Sequence, residues 1–160
     1  MQPQQMFGLP YERAIQFRDV LEARNQTFAE FATGVIRAAA NTGEISPDVP
    51  EFYISPEISG DTKGFILGFA DLARTFVPRE VAQELAATLR KAADFNERFR
   101  ETQSGVYWRV ARQSKGIRVT LPANSMTRKY SADLVQELAA QIDRALDSTD
   151  KKIAATATGE

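Results

Sequence analysis

The sequence predicts an α+β fold. An N-terminal helical hairpin is followed by a duplicated ββα unit that forms a small antiparallel sheet covered by helices. Three patterns lead there. Apolar residues recur at helical spacing between Phe28 and Ala39, and alternate at strand spacing between Tyr107 and Leu121. Two stretches also share an order, TKGFILGF then QELAA and SKGIRVTL then QELAA.

The elements follow in sequence. Pro10 suits a first helical position, where its missing N–H costs nothing. Ala14, Phe17, Val20 and Leu21 then form a helical stripe that breaks at Asn25-Gln26. Thr27 and Glu30 make a capping-box pair ahead of Phe28, Phe31, Ala32, Val35, Ile36 and Ala39, and Gly43 closes the second helix. Phe52-Tyr53-Ile54 is a short extended run, held to a sheet edge by Pro50 and Pro56. Phe65 to Phe76 fits either a buried strand or one face of a helix, and periodicity alone does not separate the two. Pro78 opens a helix whose stripe, Val81, Leu85, Leu89, Ala92, Phe95 and Phe99, runs to about Arg100. Ser131 is an N-cap for a last helix lined by Leu134, Leu138, Ile142 and Ala145. The organisation expected is a helical hairpin over 1–44, an α+β domain over 45–148 with repeats at 51–100 and 104–148, and a flexible tail over 149–160. The repeat competes with coincidence, because QELAA is ordinary helix composition.

Composition narrows the chemistry. The 160 residues include no cysteine and no histidine. A thiolate nucleophile, an imidazole base and the usual zinc and copper ligands are therefore absent. No phosphate-binding glycine motif appears; GDTKG at 60–64 is a turn with a lysine. A carboxylate–lysine set such as Glu57, Asp61 and Lys63 is the remaining enzymatic option, and nothing in the sequence gathers it. The expectation is a non-enzymatic protein without metal or cofactor. No apolar run reaches 18 residues and the N-terminus lacks a secretory pattern, so no membrane contact and a cytoplasmic location are expected.

The charge pattern carries the functional expectation. Between Thr102 and Ala132 lie six basic residues and no acid, whereas the flanking stretches carry net charges of −4 and −3. Within this segment YWRVARQSKGIRVTLP predicts a hairpin around a Gln113–Gly116 loop, with Arg112 opposite Ile117, Val110 opposite Val119 and Trp108 opposite Leu121. One face is then apolar, and the other carries Tyr107, Arg109, Ala111, Arg118 and Thr120. Tyr107, Arg109, Arg112, Lys115, Arg118, Arg128 and Lys129 are the candidate contacts to nucleic-acid phosphates or to an acidic protein surface. The competing explanations are an aggregation-blocking charged surface and pairing with helix acids such as Asp133, Glu137 or Asp143. The expected role is a small nucleic-acid-binding accessory or regulatory protein, with the N-terminal helices forming a homodimer. The alternative is a protein–protein module (adaptor, inhibitor or subunit of an assembly such as a virus particle), suggested by ten phenylalanines.

Overall fold

A computed structural model describes residues 8–59, 61–70, 74–114, 116–121 and 126–157. The chain divides into two units, Met1–Pro47 and Asp48–Glu160.

The first unit holds α1 (Tyr11–Ala23) and α2 (Phe28–Thr42). Pro10 precedes α1 as its N-cap, one position earlier than its sequence suggests, because its ψ of 146° is extended. The Thr27–Glu30 capping box forms on both sides, and Gly43 ends α2 at φ 79°, a left-handed conformation that favours glycine. Phe17 meets Phe28 and Phe31 edge-on, with ring centroids 5.8 and 5.1 Å away. Neither helix buries a residue.

The second unit contains β1 (Phe52–Ser59), β2 (Thr62–Phe69), β3 (Thr75–Pro78), α3 (Arg79–Ala93), β4 (Thr102–Ser104), β5 (Trp108–Gln113), β6 (Gly116–Leu121), β7 (Met126–Tyr130) and α4 (Ala132–Ala157). The strands form two antiparallel sheets, β1-β2-β3 and β4-β5-β6-β7, and both helices pack on them. The ambiguous Phe65–Phe76 stretch is thus strand β2 and the start of β3. Each hairpin gains a third strand before its helix. Strand β1 runs on through Pro56, which its edge position permits, since only one side of an edge strand needs its N–H groups.

The two runs, β1-β2-β3-α3 and β4-β5-β6-β7-α4, put three and four strands in separate sheets, so the expected ββα duplication within a single sheet is not established, though two pairs of positions are alike. Gly64 in β2 and Gly116 in β6 both press on the next strand: an added Cβ would stand 2.4 Å from the Val77 carbonyl oxygen and 2.7 Å from that of Tyr130. Leu85-Ala86 and Leu138-Ala139, from the two QELAA stretches, are buried in the one core that both helices line. Each helix also reaches the other run. The Trp108 indole N–H donates to the Val81 carbonyl of α3 at 3.1 Å. On α4, buried Gln141 accepts from the Val49 N–H at 2.9 Å and donates to the Phe52 carbonyl at 3.2 Å, so both ends of its amide are satisfied. A single core, from Val49 to Leu146, fills the space between helices and sheets.

Two helix ends differ from the sequence expectation. Helix α3 stops at Ala93, with Asp94 extended at φ −84°, ψ 96°. Phe95 is 52 % exposed and Phe99 half-buried, so neither continues the helical stripe. Helix α4 continues to Ala157 through most of the segment expected to be a tail, and an Arg79–Asp150 ion pair at 2.8 Å ties it to α3.

Candidate nucleic-acid interface

The hairpin β5–β6 has the register its alternation predicts: Arg112 opposite Ile117, Ala111 opposite Arg118, Val110 opposite Val119 and Arg109 opposite Thr120. Its ladder closes more tightly, with Gln113 opposite Gly116. Trp108, Val110, Ile117, Val119 and Leu121 are all buried on the core side. Strand β7 extends the pattern, pairing Thr120 with Thr127, Val119 with Arg128 and Arg118 with Lys129.

Register sorts the candidate residues into two groups, because side chains opposite one another share a face. Arg112 and Arg128 fall on the core side. Arg112 turns to the C-terminal end of α3. Its Nε donates to the Ala92 carbonyl at 3.0 Å, Nη1 to Glu97 at 2.7 Å, and Nη2 to Lys91 and Asp94 at 3.0 and 2.6 Å. Phe95 and Phe99 lie 4.6 and 5.4 Å from the guanidinium carbon. Arg112 therefore caps a helix whose last carbonyls lack intrahelical partners. Arg128 pairs with Glu51 at 3.6 Å. Beside them Tyr130 is half-buried against the core; burial pushes its hydroxyl up to about 12, against the attraction of Arg128.

Tyr107 also packs against the core. Lys115 lies outside the described residues. Arg109, Arg118 and Lys129 occupy the outer face. Arg109 is engaged, donating to Gln103 Oε1 at 3.1 Å and lying 3.4 Å from Glu101. Arg118 and Lys129 stand directly across from each other, and among the described residues neither has a hydrogen-bonding or acidic partner. Asp143, one of the helix acids named as alternative partners of the hairpin, is held by Arg90. The stem of Lys129 lies over Gly116, within 3.1 Å of where a Cβ would be. Next to this pair, the Thr120 and Thr127 hydroxyls hydrogen-bond to one another at 3.0 Å.

The outer face of the first sheet differs. Tyr53, Ile66 and Phe76 are half-buried there, and the Arg74 guanidinium lies 3.7 Å above the Tyr53 ring. Glu57, Asp61 and Lys63 sit exposed where β1 turns into β2. Among the described residues, no three metal-ligating side chains cluster and no helix is long and apolar enough to cross a membrane. Comparison with known protein families, with curated proteins and with solved structures finds no match to this chain.

Proposed function

We propose that the protein is a non-enzymatic nucleic-acid-binding accessory or regulatory protein that meets phosphates through the outer face of β5, β6 and β7. The observation that carries this reading is the Arg118–Lys129 pair. Like charges directly opposite on neighbouring strands destabilise a sheet. Here they stand together without an acid among the described residues, an arrangement that favours an external anion. Phosphates suit it, since Arg and Lys side chains supply most sequence-independent contacts to a nucleic-acid backbone. Arg109 flanks the pair. Arg112, Arg128 and Tyr107 are left out of the contact set, because each serves the fold.

The test is binding of labelled single- and double-stranded DNA and RNA across a salt series. Two neutralised phosphates on duplex DNA give a slope of log affinity against log salt of about −2. Lys129→Glu separates function from folding. It places an acid across from Arg118, so stability rises by about 0.5 kcal/mol while binding weakens. Arg118→Glu combined with Lys129→Glu abolishes binding. No binding by the unaltered protein at low salt overturns the reading and turns attention to an acidic protein surface.

A second reading, self-association, rests on α2. Phe28, Val35 and Ile36 are 61, 52 and 53 % exposed on a helix too short to be stable in water by itself. Sedimentation across a concentration range tests it; a strict monomer of 17.8 kDa would remove it.

A further inference from the structure

The outer face of the second sheet is built in rows. One row is Ala111, Arg118 and Lys129; the next is Gln103, Arg109, Thr120 and Thr127. Along β6 the rows are two residues apart, about 6.7 Å in an extended strand. Among the described residues, the charge of the first row is unpartnered. The second row offers two hydroxyls and a cation already engaged by Glu101 and Gln103. Each hydroxyl carries one proton, and a single hydrogen bond joins the two at 3.0 Å. One O–H donor is therefore left over. It lies on an exposed surface beside Arg118 and Lys129, and Arg109 stands across from Thr120. A phosphodiester oxygen can only accept hydrogen bonds, so it complements this leftover donor.

We infer that Thr120 and Thr127 together seat a phosphodiester adjacent to the one held by Arg118 and Lys129, with Arg109 supplying charge across the strand. The inference rests on the nucleic-acid reading and adds to it a hydroxyl-lined position. The threonines then contribute affinity without contributing to counterion release, which separates them from the cations.

The experiment measures binding of labelled oligodeoxythymidylate to the full chain across a salt series. Thr120→Val with Thr127→Val keeps the branched shape and the strand preference and removes both hydroxyls. Affinity is expected to fall about tenfold, the effect of one lost hydrogen bond to a charged group. The salt slope stays that of the unaltered protein, because no charge is removed. Thr120→Ser with Thr127→Ser retains binding. Thr127→Ala, at an exposed edge position, serves if the valine pair melts early. Unchanged affinity in the valine pair overturns the inference and leaves the broader reading standing. A shallower slope also overturns it, since the cations would then have moved. No binding by the unaltered protein overturns both.

Discussion

Arg112 accounts for much of what happens between the two strand-and-helix runs. Its four donated hydrogen bonds end on carbonyls of Lys91, Ala92, Asp94 and Glu97, and two phenyl rings flank its guanidinium. A planar fork with five donors can serve several carbonyls at once; an ammonium on a flexible stem cannot hold the same positions. Arg112→Ala is expected to lower stability by about 1–2 kcal/mol, since the carbonyls it leaves are exposed or part-buried and water can serve some of them. Arg112→Lys recovers little of that. Urea unfolding of the three proteins checks it, and a lysine variant as stable as the parent would show that charge alone suffices. In the sequence this arginine shares one basic hairpin with Arg109 and Arg118. Strand parity already placed it on the side of Val110, the clue that it faces inward. What it reaches there depends on where α3 ends, and no local pattern encodes that. Arg128 is similar: only the β6–β7 register shows it opposite Val119 and turned toward Glu51.

Elements were legible where local chemistry decides them. The β5–β6 register follows from alternation, since a one-residue slip would carry Trp108 and Val119 out of the core. The start of α2 follows from Thr27 and Glu30. Illegible ends are those set by distant partners: α3 yields to Arg112 before Phe95, and β3 and β7 exist because β2 and β6 each offer a second edge. The capping box makes its own prediction. Glu30 accepts from the Thr27 N–H at 2.7 Å and the Thr27 hydroxyl at 3.0 Å, and these bonds, the backbone one first, hold its carboxyl below the usual glutamate range. A carboxylate with a depressed folded value contributes stability above its ordinary value of about 4.3, and that contribution is lost as pH falls through the lower folded value. The helix signal of the unaltered chain should therefore weaken on acidification through that window. Glu30→Gln cannot ionise, so it removes the acid-sensitive component while leaving an amide oxygen to accept from the Thr27 N–H. Circular dichroism of both proteins across the acid range checks the sign, and identical curves would show that the box adds nothing.

At the scale of the whole molecule, the sequence hints at two similar runs without showing how they interlock. Local patterns cannot reveal that Trp108 reaches Val81 on α3, or that Gln141 on α4 holds Val49 and Phe52. Those links join residues 27, 92 and 89 positions apart. They make the two sheets and two helices one cooperative body, because neither run keeps its core once the other's helix is removed. Every residue of that core lies between Val49 and Leu146, while α1 and α2 bury none. Folding free energy should accordingly reside in Asp48–Glu160. A fragment starting at Asp48 is expected to unfold in one cooperative step, with a urea slope of about 1–3 kcal/mol per molar, at the midpoint of the full chain's main transition. Leu138→Ala tests the interlock in the same fragment. Leu138 is fully buried in that core, so its truncation should cost about 3 kcal/mol and move the whole transition. Tryptophan fluorescence reports on Trp108 and circular dichroism on the helices. Their transitions should shift together, and a variant in which one moves without the other would divide the unit into two independently folding runs.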